Sequence, residues 1–129
     1  MNPADKIGMG LFLSLLLAQI TWSQQIVDVR RNITLSDSDP VYKDFYINSS
    51  SASQFKKGQI LTAHRKIMVR DSTGSTQIGE MRVPVGELKV ISVFEKVTVA
   101  REVKLFDRQD LPMLEQTAIM TGDDVEIKK

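Results

Sequence analysis

The chain has 129 residues, with 17 Lys and Arg against 16 Asp and Glu, and it contains no cysteine. Near-neutrality argues against a nucleic-acid track, which needs basic residues in excess or clustered on one face. The lack of cysteine excludes a disulfide framework, a thiolate zinc site, a cysteine nucleophile and a lipid-accepting cysteine behind a leader.

The first element is an apolar stretch, Ile7 to Ile20, behind a short polar start and ahead of Thr21-Trp22-Ser23. That order is the order of a secretory signal peptide, with a cut after Ser23. Ile7 to Trp22 is interrupted by Gly8, Gly10, Ser14 and Gln19. It is short for a membrane-spanning helix, which needs about 20 predominantly apolar residues. The expectation is a signal helix over 1–23, with a short membrane anchor as the alternative, and an exported domain over 24–129. An exported small domain without disulfides suits a bacterial envelope better than an animal extracellular space. Its expected location is therefore periplasmic or outer-membrane-associated. In that setting Asn32-Ile33-Thr34 and Asn48-Ser49-Ser50 match the glycosylation pattern by chance.

After Gln24 the hydrophobic pattern has period two. Ile26 to Val29 and Ile33 to Leu35 alternate before the turn cluster Ser36 to Pro40. Val41 to Ile47, rich in aromatic and β-branched residues, is predicted as a strand, and the serine-rich run after Asn48 breaks it. From Gln59 to Arg70 the residues sort by face. Leu61, Ala63, Ile67 and Val69 point to a core with Arg65 as the exception, while Ile60, His64, Lys66 and Met68 point away. Asp71 to Ser75 is a hairpin loop, Thr76 to Val83 returns, and Pro84 marks an edge, bulge or strand start. Two more strands follow, from Gly86 to Phe94 and from Val97 to Val103, and Val125 to Ile127 closes the chain. Asp107 to Leu114 alone has loop or helix character. Five to seven short strands with no helical period predict an all-β domain, a small antiparallel barrel or sandwich with one core.

Catalytic chemistry finds no foothold in the motifs. His64, the single histidine, has no neighbouring base pattern, and the serines at 49, 50, 51 and 53 lie outside any Gly-x-Ser-x-Gly elbow. Asp37 with Asp39, and Asp123 with Asp124, lack the alternation and distal glutamate of a calcium loop and suit turns instead. No cofactor or metal is expected. The apolar residues on polar faces are more informative. Ile60, Met68, Ile91 and Val93 are candidate partner-binding residues, provided they align into one strip across the strands. The alternative account of them is a second small core under the 107–120 segment. Tyr46, His64 and Arg65 are the candidate ligand-binding residues of an alternative, a barrel that binds a small molecule or glycan.

One set of blocks carries a resemblance. Asp44-Phe45-Tyr46-Ile47-Asn48, then Phe55-Lys56-Lys57-Gly58-Gln59-Ile60-Leu61, Val85-Gly86-Glu87-Leu88-Lys89-Val90 and Ile119-Met120-Thr121-Gly122-Asp123-Asp124-Val125 follow one another in order. The set resembles the C-terminal domain of the flagellar H-ring assembly protein T family, periplasmic proteins of some polar flagella. The resemblance runs from about Val41 to Ile127. It implies a small periplasmic β-barrel with no catalytic residues, in which Lys57, Gly58, Gly86 and Gly122 determine the fold. It also implies an accessory role at a flagellar basal-body ring. The expected function is thus non-enzymatic protein interaction in the envelope. The expected partner is another envelope protein or a second copy, with no nucleic acid and membrane contact only through an uncleaved leader.

Overall fold

A computed structural model describes residues 24–49 and 55–129; the predicted signal peptide or anchor lies outside the described residues. Six strands form the fold: β1 (Gln24–Arg31), β2 (Lys43–Asn48), β3 (Ile60–Arg70), β4 (Gln77–Val93), β5 (Val97–Leu105) and β6 (Asp124–Ile127). All pair antiparallel in the order β1-β2-β5-β4-β3-β6, and β6 returns to β1, so the sheet closes into a barrel. Closure removes the exposed sheet edges along the ring, which an open sheet of this size would have to protect.

Alternation fills the interior. Phe45, Ile47, Leu61, Ala63, Val83, Val85, Leu88, Val90 and Ala100 are buried, and Ile26, Ile119 and Val125 join them. The expected core face of β3 holds for Leu61 and Ala63, whereas Ile67 is only partly buried against the same cluster. The difference follows from length, because β3 outruns its neighbour β6. Three turns carry glycine at positive φ, namely Gly58, Gly74 and Gly122, each where turn chemistry is expected.

Bulges bend the strands around so small a core. The register shifts at Val27 in β1, at Val85 in β4 against β3, and at Ile91 in β4 against β5. Pro84 stands beside the Val85 bulge, one of the settings read from the sequence, and β4 runs through it as one strand where the sequence suggested two. Its carbonyl faces the side away from β3, where it accepts from Arg108 Nη1 at 2.6 Å. Strand β5 pairs only as far as Gly86, so a donor at position 84 has no strand partner to lose. The alternation of Ile33 and Leu35 also fails to make a strand. Both lie in the β1–β2 connection, 89% and 93% exposed.

Gly86 marks the closest backbone approach. A Cβ there would stand 2.5 Å from the Lys104 carbonyl oxygen and 3.1 Å from Ile119 Cδ1. Gly79, in the same strand, faces open space. Gly86→Ala should therefore destabilise the domain by about 2 kcal/mol or more, and Gly79→Ala by less than about 0.5 kcal/mol. Urea unfolding of the two variants against the parent chain measures both.

Candidate functional site

The site grows from a mismatch in strand length. On its β6 side, β3 pairs only from Leu61 to His64, while on its β4 side it pairs as far as Arg70 with Gln77. Strand β4 in turn meets β5 only from Gly86 onward. Residues Lys66–Arg70 and Gln77–Arg82 therefore project beyond the ring as a two-stranded ribbon. Lys128 N–H donates to the Ile60 carbonyl at 2.9 Å, which fixes which residues of β3 face β6. By alternation, the N–H and C=O groups of Ile60, Thr62 and His64 face β6, and those of Lys66 and Met68 face the open edge. Among the described residues these last two have no backbone partner on that side.

Opposite the open edge lies the 18-residue connection between β5 and β6. It contains no helix, which decides the helix-or-loop expectation for Asp107 to Leu114 in favour of loop. Its position is fixed by two arginines and two apolar plugs. Arg65 forks onto Asp123, Nε to Oδ1 at 2.7 Å and Nη2 to Oδ2 at 2.9 Å. The same guanidinium donates to the carbonyls of Gln116 and, at 2.7 Å, Ala118. Arg108 joins the Pro84 and Pro112 carbonyls at 2.6 Å each. Leu114 and Ile119 are buried in the barrel core.

Between the ribbon and this connection runs a groove of about 480 Å³, lined by Arg65, Ile67, Met68, Met113, Leu114 and Met120 among others. Its volume lies within the range of ligand clefts. The described residues include four of the chain's six methionines, and all four are exposed, Met113 by 85% and Met68 by 42%. Flexible, polarisable methionine surrounds grooves that accept varied apolar side chains.

The candidate partner residues do not form one strip. Ile60, Ile91 and Val93 lie at the end of the barrel that carries Gln24, and Met68 lies eight positions along β3 from Ile60. At about 3.3 Å per residue that separation is roughly 26 Å. The bulge at Ile91 further breaks the alternation on which the strip depends. Only Met68 lines the groove. The second core expected under the 107–120 segment is not separate, because Leu114 and Ile119 insert into the main core.

The alternative ligand residues diverge as well. Tyr46 is on β2 and His64 on β3, three strands apart by either route around the ring. Tyr46 lies beneath Arg30, 5.4 Å from ring centroid to guanidinium carbon. His64 pairs with Asp124 across β6, and Arg65 turns to the opposite face to clamp Asp123. Burial holds the His64 pKa below the ordinary imidazole value and Arg82 adds to this, opposed by Glu126 and Asp124. Lys66 Nζ meets the buried Asp124 carboxylate at 3.1 Å.

Arg65 as a clamp and Asp123 as its buried partner escaped the sequence reading, which places Arg65 as an exception on the core face and Asp123 in a turn. The available signal was an arginine in a core register, which demands an anion wherever the chain can supply one. Asp39, by contrast, acts as expected, with its Oδ2 accepting from the Leu35 and Ser36 amides, and these bonds hold its pKa below the usual carboxylate value.

No family model matches the chain, and neither a curated protein nor a solved structure matches it.

The Arg65 and Asp123 side chains are 12% and 2% exposed, so removing one charge strands the other in a poorly solvated place. Asp123→Asn should cost about 3–5 kcal/mol. The better-solvated Arg101–Asp44 pair is 43% and 26% exposed, and Asp44→Asn should cost about 1 kcal/mol or less. Denaturant midpoints for the two variants test the contrast.

Proposed function

We propose that this domain is a non-enzymatic protein-interaction module of the bacterial envelope that accepts an extended segment of another protein at the open edge of β3. The observation that carries the reading is the unpaired edge at Lys66 and Met68 beside a methionine-lined groove. An incoming strand would satisfy the two residues' main-chain groups, and its alternate side chains would enter the groove.

Magnitudes show why both parts are needed. Covering about 300 Å² of apolar surface contributes about 7 kcal/mol. Association costs about 4–15 kcal/mol in lost freedom, so the groove alone gives little net affinity. Added strand pairing orients the segment and tips the balance. A second copy of the same edge fits poorly, because antiparallel pairing centred on Met68 sets Lys66 of one copy against Arg70 of the other. The setting at a flagellar ring rests on the sequence resemblance, and the methionine groove suits any apolar extended segment.

Photocrosslinking in native envelopes tests this reading. A crosslinker at Met113 of the full-length chain should capture a discrete partner, and one at Val93 should not. Met68→Pro removes an edge-facing N–H and should abolish the Met113 adduct while leaving the thermal unfolding transition cooperative. Equal capture from both positions, or an adduct indifferent to Met68→Pro in a folded variant, would sink the proposal. Basal-body ring components in the adduct would support the flagellar setting, and wall-synthesis proteins would retire it.

A further inference from the structure

The near-neutral total hides an excess of exposed lysine at one end of the barrel. One end gathers the starts of β1, β3 and β5 with the ends of β2, β4 and β6. Its turns and terminal residues carry Lys56, Lys57, Lys96, Lys128 and Lys129 against Glu95 alone. Lys128 is engaged with Glu87 at 2.8 Å, while Lys56, Lys57, Lys96 and Lys129 are exposed and form no ion pair among the described residues. Lys89, also exposed and without an ion pair there, flanks the same end. The connections at the opposite end carry Asp37, Asp39, Asp71, Asp107, Asp110, Glu115 and Asp123 with Arg108, and the strand ends beside them add Arg30, Arg31, Lys43, Arg70 and Lys104, so the two signs nearly balance there.

Two further observations fall on the basic end. Phe94 and Val93 stand 62% and 44% exposed at its β4–β5 turn, among the lysines. Gln24, to which the apolar stretch Ile7 to Ile20 connects, enters the barrel here, since it pairs with Val125 and β1 runs away from this end. The strands separate the two ends by about 20 Å, roughly two Debye lengths at physiological salt, so the excess lysines of the first end are screened from the charges of the other.

We propose that the end bearing Gln24, Phe94 and the exposed lysines is apposed to an anionic phospholipid surface. The lysines meet lipid phosphates, Phe94 and Val93 enter the interface, and the opposite end with its neighbouring groove points away from the membrane. The inference stands independently of the strand-docking reading, which concerns the other end of the barrel.

The full-length chain is the proper subject, and its apolar N-terminal stretch can itself partition into lipid. The informative readouts are therefore orientation and dependence on lipid charge. With no native cysteine, Glu95→Cys and Asp110→Cys each accept one environment-sensitive fluorophore. The probes are vesicles of phosphatidylcholine with and without phosphatidylglycerol. The label at position 95 should shift to a membrane-like emission only with phosphatidylglycerol and revert in high salt, and the label at 110 should stay aqueous. Lys56→Glu combined with Lys57→Glu, both at exposed positions, should weaken the phosphatidylglycerol-dependent response by about 25-fold or more, at about fivefold per lysine. Equal responses at 95 and 110, or no dependence on phosphatidylglycerol, overturn the proposal. So does retention of duplex DNA by a chain whose 95 label ignores the vesicles.

Discussion

Arg65 sits where the barrel stops being a barrel, and its bidentate contact with Asp123 decides what happens there. The residue occupies a core-facing register one step past the last β3–β6 pair, where an aliphatic side chain would otherwise cap the interior. A guanidinium in that position needs an anion and further acceptors, since a partly buried unpaired cation is costly. Asp123 and the carbonyls of Gln116 and Ala118 supply them. By gathering those groups the arginine draws the β5–β6 connection across the barrel mouth, and Leu114 and Ile119 complete the core beneath it. The same connection forms one wall of the groove, so the ion pair that closes the fold also shapes the surface beside the open edge.

The rest of the geometry is a consequence of closing six strands around a small core. A narrow barrel needs strong bending, and the bulges at Val27, Val85 and Ile91 provide it at the cost of regular alternation. Gly86 allows β4 to pass close to β5 and Ile119 to pack behind it. Since β3 and β4 are longer than the strands that flank them, their surplus length leaves the ring as a ribbon. Closure thus hides most sheet edges and exposes short lengths of β3 and β4, of which the β3 length borders the groove.

Local chemistry was legible in the sequence, and so was the fold class. Alternation in Leu61 and Ala63, the turn glycines Gly58, Gly74 and Gly122, and the β-branched strands all read correctly because each depends on neighbours within a few residues. The failures share a cause in long-range pairing. Pro84 reads as an edge, bulge or strand start, and only the absence of a β5 partner beside it explains why β4 continues through it as one strand. Ile60, Met68, Ile91 and Val93 look like one surface only if the strands stack in an unbulged register. Tyr46 and His64 share a polar pattern but face away from each other across the ring. Asp123 reads as a turn residue because its partner is 58 positions distant.

These features give the domain two differently equipped ends, a basic one at the entry of the chain and one that combines acidic connections with an open strand edge. The second end depends on a single structural statement, that β3 lacks a partner beyond His64. Residue-resolved amide hydrogen exchange on the folded domain tests it most directly. The account predicts rapid exchange at Lys66 and Met68, with Thr62 and His64 protected by β6 and Arg65 and Ile67 protected by β4. Protection at Lys66 and Met68 equal to that of Ile67 would show the edge already paired, and would contradict the account.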